Sequence, residues 1–168
     1  MTMKPSQGVA IRPRKVKSIL AEVEKLQNQV VQRAYDLFIN RGAVDGFDLQ
    51  DWFDAEKELS WKPAVELSEK GGVFVVQAAL PGIEPKDLDV QVTPEDLLIK
   101  ADIRHAHKEK EGTVLLCEFQ AGKLFRHIHF PRKIDPGKVK AEFGNGLLRV
   151  VAAIAKEEQR KTLAIGAS

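Results

Sequence analysis

The apolar positions of this chain follow two different periods. From residue 14 to 41 they recur at helical spacing, at Val16, Ile19, Leu20, Val23, Leu26, Val30, Ala34, Leu37 and Phe38, the pattern of one long amphipathic helix. No Pro or Gly interrupts the stretch, and Gly42 stands where a C-terminal cap belongs. A second, shorter helix is predicted with Asp48 as its N-cap, running to about Leu59, with Phe47 and Trp52 spaced for a hydrophobic staple. Two helices cannot bury all of these faces alone. They are expected to pack on each other and on the following domain, and to offer apolar surface for self-association or for capturing apolar segments. Val16, Leu20, Val23, Val30, Leu37, Phe38 and Trp52 are the candidates for that surface.

After Trp61-Lys62-Pro63 the period falls to two. "GVFVVQAAL" reads as a buried strand stopped by the turn Pro81-Gly82. "DLDVQV" alternates strictly and places Leu88, Val90 and Val92 on one face. Thr93-Pro94-Glu95-Asp96 is a turn, after which Leu97, Ile99, Ala101 and Ile103 share a face. "RHAHKEKEGT" reads as a polar loop, "VLLCEF" and "KLFRHIHF" as strands, and "IDPGKVKAEFGNG" as a turn-rich passage. The last strand, "LLRVVAAIA", turns Leu148, Val150, Ala152 and Ile154 to one side. About seven short strands with turns and no helix between them predict a mainly β domain, an immunoglobulin-like β-sandwich. The chain thus divides into a disordered basic arm (1–15), a helical region (16–60), the sandwich (61–155) and a C-terminal extension (156–168).

Composition adds few constraints. At 168 residues, with 43% apolar and 30% charged residues, the chain has room for one domain of about 100 residues and an appendage. A net charge of +2 is too small to point to nucleic acid. The early basic cluster, Lys4 to Lys17, reads as a solvated arm. No apolar run is long enough for a signal peptide or a membrane helix, so no membrane partner is expected. A lone Cys117 excludes an internal disulfide and fits a reducing, cytoplasmic compartment.

The residues offer no active site. His105-x-His107 and His127-x-His129 could ligate a metal as alternate strand residues, but neither Cys117 nor the carboxylates stand at metal-site spacing to them. No metal and no cofactor is therefore expected. The glycines of "FGNGL" precede no helix and are not a phosphate loop. A hairpin turn at Asn145-Gly146 accounts for them better. Cys117 has no neighbour in sequence that would lower its pKa. The chain is read as a non-enzyme.

Several ordered motifs carry a resemblance. "AEFGNGLLRV", in the form A-x-x-x-N-G-x-L-x-V, resembles the signature of the small heat-shock proteins, the α-crystallin family. "LPGI" followed by "DLDVQV" is similar to that family's third-to-fourth strand junction, and Glu118, Gly122, Arg126 and Pro131 to its segment before the long turn. The spacing from "LLIKADI" to Gly122 resembles the bacterial and plant branch, and the match spans about 61–165. Residues 33–59 separately resemble a short bacterial helical module of unknown function, which implies no mechanism.

The resemblance implies an α-crystallin domain acting as an ATP-independent chaperone on unfolding client proteins, built as reversible homo-oligomers of homodimers. It gives the tail a role: Leu163-Ala164-Ile165 matches the family's C-terminal apolar-x-apolar motif, with Leu163 and Ile165 docking at another subunit's sheet edge by strand addition. The expected groove lies between the strands of Leu88, Val90 and Val92 and of Leu148, Val150 and Ala152. Burying two aliphatic side chains gives about 3–6 kcal/mol, and ordering three or four residues costs roughly 1–2 kcal/mol each. One docked tail is thus near balance, and many hold by avidity. At the dimer interface the loop with His105 and His107 is expected to cross to the partner's strand near Val65 and Leu67. Arg126 is expected there too, paired with Glu118 or Asp102. The competing reading is a β-sandwich adaptor or co-chaperone that does not oligomerise and docks one defined protein partner.

Overall fold

The computed structural model describes residues 6–105, 107, 112–119 and 122–158. In it the helical period becomes α1 (Val16–Asn40) and α2 (Asp48–Leu59). The chain before them forms β1 (Gln7–Val9) and β2 (Ile11–Pro13), and the chain after them β3 (Ser60–Trp61), β4 (Val65–Lys70), β5 (Val73–Ala79), β6 (Leu88–Val92), β7 (Asp96–Ile103), β8 (Gly122–His129), β9 (Ile134–Gly144) and β10 (Leu147–Ile154). These make two five-stranded sheets, ordered β1-β9-β10-β5-β4 and β2-β6-β7-β8-β3.

Alternation decides what fills the space between the sheets. Leu148, Val150, Ala152 and Ile154 of β10 are buried while Leu147 and Arg149 point out. Opposite them lie Val90, Val92, Leu97 and Ile99, all fully buried. Phe74 and Phe130 stack across the core at 5.5 Å between ring centroids. The β9–β10 hairpin turns on Asn145 (φ 52°) and Gly146 (φ 74°), the left-handed pair that a two-residue connection needs.

The second sheet is also covered on its outer face. Leu98 and Gln91 fall on the outward side by alternation, yet both are buried. The helical layer is the cause: α1 packs over β7, where Lys100 Nζ pairs with Glu22 Oε2 at 2.6 Å, and buries Ile19 and Val30. The helix thus buries part of the outer face of this sheet, polar Gln91 included, as well as the inner one.

Four local expectations are corrected. The first fifteen residues are not a wholly disordered arm, because 7–13 find unpaired sheet edges and complete them as β1 and β2. "VLLCEF" is no strand: 112–119 have no ladder partner, and Leu115 is 94% exposed. The turn-rich passage lies inside β9, whose register on β10 shifts between Val139–Ala152 and Ile134–Ile154. That bulge absorbs Pro136-Gly137, with the Gly137 N–H donating to Asp135 Oδ1 at 2.9 Å. Finally, the cap of α2 is Phe47, not Asp48. Phe47 lies beneath the Arg41 guanidinium, with 4.9 Å to the ring centroid.

The β6–β7 turn is held by a buried carboxylate. Asp96 accepts from His127 Nε2 at 2.8 Å and from His129 Nδ1 at 3.0 Å, both at Oδ1. Thr93 Oγ1 accepts the Asp96 N–H at 2.9 Å, which closes the turn. Burial pushes the Asp96 carboxyl up, but the two histidine hydrogen bonds outweigh it and hold the group below the ordinary carboxylate range. A depressed folded-state pKa contributes stability that is present above the unfolded value and lost as pH falls through the folded one. Asp96→Asn should therefore lower stability at neutral pH by about 1–3 kcal/mol. Denaturant titrations should show the gap from the parent closing in acid, and an equal gap at every pH would assign the loss to the turn alone.

Candidate functional site

The chemistry of this molecule lies in its sheet edges, because each sheet ends in backbone N–H and C=O groups that need partners. On one side the two edges are closed by a strap. β1 pairs antiparallel with β9, setting Val9 opposite Ala141, and β2 pairs parallel with β6, setting Ile11 opposite Val90. Only Ala10 lies between β1 and β2, so the chain steps from one sheet to the other within a residue. Val9 and Ile11 are half-buried against the core beside Leu88 and Val139. Arg12 forms a two-pronged ion pair with Asp89, and the Arg14 N–H donates to the Val92 carbonyl at 2.8 Å. Burial raises the Asp89 carboxyl, and hydrogen bonds from Arg12 and Gln91 bring it below its usual value.

This strap corrects the expected groove. Leu148, Val150 and Ala152 belong to β10, which is hydrogen-bonded on both sides, to β9 and to β5. They are core residues and expose no edge. The edge facing Leu88, Val90 and Val92 across the sandwich is that of β9. Sequence reading missed this because the turn-rich look of Ile134–Gly144 hid a strand. The tail residues Leu163 and Ile165 lie outside the described residues.

On the opposite side, β4 ends its sheet among the described residues, and β8 is paired there beyond β7 by the two residues of β3. Val65 and Leu67 of β4 are half-buried against the core. Arg126 stands across the ladder from Ile99 and shares the inward face of β8 with Leu124 and Ile128. Its Nε is buried without a hydrogen-bond partner among the described residues, and it pairs with neither Glu118 nor Asp102 there. A cavity of about 340 Å³ beneath the helices is lined by Leu26, Val30 and Trp52 and, from β8, by Phe125 and His127 on either side of Arg126.

The loop between β7 and β8 brings together residues that sequence spacing kept apart. Cys117 Sγ lies 3.5 Å from His105 Nε2, and the His105 ring meets His107 edge-on at 4.8 Å between centroids. Phe119 stacks on His105 at 4.8 Å between centroids. Leu116 and Phe119 stand exposed. The rest of the loop expected to cross, residues 106 and 108–111, lies outside the described residues.

The helical surface differs from expectation in its residues. Val30 is buried, and Val23, Leu37, Phe38 and Trp52 are half-buried, while the side chain of Val16 lies outside the described residues. Of the expected set only Leu20 is exposed, at 52%. It is joined by Val31, Tyr35 and Ile39 on α1 and by Phe47, Leu49 and Phe53 at and within α2. The helix carries a second apolar stripe, visible in sequence as Val31, Tyr35 and Ile39 at steps of four. Among the described residues no helix is long and apolar enough to cross a membrane.

Comparison with known proteins places this arrangement. The profile of the "Hsp20/alpha crystallin family" matches residues 66–166, and that of a "Protein of unknown function (DUF2934)" matches 26–60. The chain is 30% identical over 110 residues to small heat shock protein C2 of Rickettsia felis, covering 66% of this chain and 70% of that protein. It is 32% identical over 111 residues to heat shock protein 16 of Schizosaccharomyces pombe, covering 64% and 76%. Among solved structures, heat shock protein 16.0 of the same yeast superposes with a TM-score of 0.53 at 24% identity, over 67% of this chain and 87% of that one. A small heat-shock protein of Xylella fastidiosa, described as having a distinct high order structure, gives 0.50 at 28% identity, over 56% and 86%.

The strap's seating has a direct test. Val9→Asp with Ile11→Asp should release it, because two carboxylates cannot enter the space between the sheets unpaired. Hydrogen exchange should then quicken at 7–13 and along the exposed edges of β6 and β9, while the inner strands β7 and β10 stay protected. Unchanged protection at 7–13 would mean that the backbone ladders alone hold the strap.

Proposed function

We propose that this chain, which belongs to the Hsp20/alpha crystallin family, is an ATP-independent holdase that keeps unfolding proteins from aggregating and works as a reversible oligomer of dimers. Its small heat shock relatives imply a chaperone role and oligomeric assembly. The observation that carries the finer reading is the strap: an extended segment with apolar residues at alternate positions, Val9-Ala10-Ile11, sits across both open sheet edges. Leu163-Ala164-Ile165 repeats that spacing. A tail from a second copy therefore fits the same seat once the strap leaves it.

Exchanging one pair of aliphatic side chains for another is close to neutral, since each buries a similar apolar area. The choice between strap and tail then follows local concentration, which assembly raises. Clients would meet the exposed stripe of Leu20, Val31, Tyr35 and Ile39 and the sheet edges left open during exchange. The dimer would form on the other side, where β4 presents Val65 and Leu67 at a free edge and Arg126 keeps a buried Nε available for a partner's acceptor. The work would be done in the cytoplasm, where Cys117 stays reduced.

Three measurements test this reading. The chain without ATP should suppress light scattering from a thermally unfolding client at near-stoichiometric ratio, and failure to do so returns the protein to the adaptor reading. Leu163→Ala with Ile165→Ala should reduce the mass measured by light scattering toward dimers while the sandwich stays folded; an unchanged mass would pass assembly to the helices. Deleting residues 104–111 should yield monomers, and a surviving dimer would place the interface elsewhere.

A further inference from the structure

The loop between β7 and β8 holds a set of donors whose ligand chemistry neither the chaperone reading nor the sandwich calls on. His105, His107 and Cys117 each offer one ligand atom, and these three atoms lie within 4.8 Å of one another. We propose that they form a transition-metal site that takes zinc, with a water in the fourth position. The proposal does not depend on the holdase reading.

The geometry is close to what the metal requires. Zinc binds imidazole nitrogen at about 2.0–2.1 Å and thiolate sulfur at about 2.3 Å in a tetrahedron, which sets a nitrogen and a sulfur ligand about 3.5–3.6 Å apart. Cys117 Sγ and His105 Nε2 stand 3.5 Å apart. Bringing His107 in asks only for a contraction on the order of 1 Å within an exposed loop. The donor chemistry agrees. One thiolate and two imidazoles suit zinc, and the soft sulfur disfavours magnesium and calcium. Phe119, stacked on His105 at 4.8 Å, restrains the ring that holds the shortest contact.

The site has no rival use among the other histidines. His127 and His129 donate to Asp96 in the β6–β7 turn. Cys117 is the one cysteine of the chain. Spacing in sequence hid the site, because His107 and Cys117 stand ten positions apart and meet only when the loop returns. All three ligands belong to this single excursion. A bound ion would tie its outgoing limb to its returning limb and fix the segment that exposes Leu115, Leu116 and Phe119. Zinc would thereby control how that apolar segment is presented to another chain.

Cobalt(II) titration of the full, reduced, metal-free chain tests the site, since a thiolate ligand gives a charge-transfer band and a tetrahedral field gives intense visible bands. One equivalent should saturate both, and zinc should displace the cobalt. Cys117→Ser should abolish the charge-transfer band. His105→Ala and His107→Ala should each weaken cobalt binding at least tenfold. His129→Ala should leave the titration unchanged, and circular dichroism should confirm that every variant is folded. Absence of the charge-transfer band in the parent overturns the proposal. So does binding that survives His105→Ala and His107→Ala undiminished, or that falls equally in His129→Ala.

Discussion

An open sheet edge is the constraint on which the rest of this structure depends. A backbone donor or acceptor left without a partner costs free energy wherever water is excluded, and two stacked sheets end in several such rows. This chain treats the two sides of its sandwich differently. One side is closed internally by residues 7–13, which lend a strand to each sheet and place Val9 and Ile11 between them. Among the described residues, the other leaves β4 as an edge and covers β8 with two residues of β3. One side therefore leaves a strand edge open among the described residues, and the other is reached only by displacing the strap.

The helical region adds a second constraint. By lying on the outer face of the second sheet, α1 and α2 bury Leu98 and Gln91 and anchor themselves through Glu22–Lys100. The same helices keep an apolar stripe turned outward. A layer that is partly core and partly exposed apolar surface can meet another chain without the sandwich opening.

Much of this was legible in the sequence. Alternation put Leu88, Val90 and Val92 on one face of their strand and Leu148, Val150, Ala152 and Ile154 on one face of theirs, because a strand has only two faces, and the structure turns both faces toward the core rather than into a groove. Helical spacing set α1, and Asn145-Gly146 set the last hairpin. Where reading failed, the reason was tertiary. Pro136-Gly137 looks like a turn and is a bulge within β9. Gln91 and Leu98 are buried by an element far away in sequence. Residues 7–13 carry no strong strand pattern and become strands because edges await them. The groove was misplaced for the same reason, since no local signal says which of β9 and β10 lies at the edge. His105, His107 and Cys117 meet only through the return of a loop.

The central claim is that the seat now filled by Val9-Ala10-Ile11 is exchangeable, and that the tail segment is its second occupant. The most direct measurement titrates a peptide of residues 159–168 into the full chain and follows hydrogen exchange. The account predicts that exchange quickens at 7–13 while β6 and β9 remain protected, as one occupant replaces the other. Protection that stays on 7–13 at saturating peptide would contradict it, as would peptide binding that leaves those edges untouched.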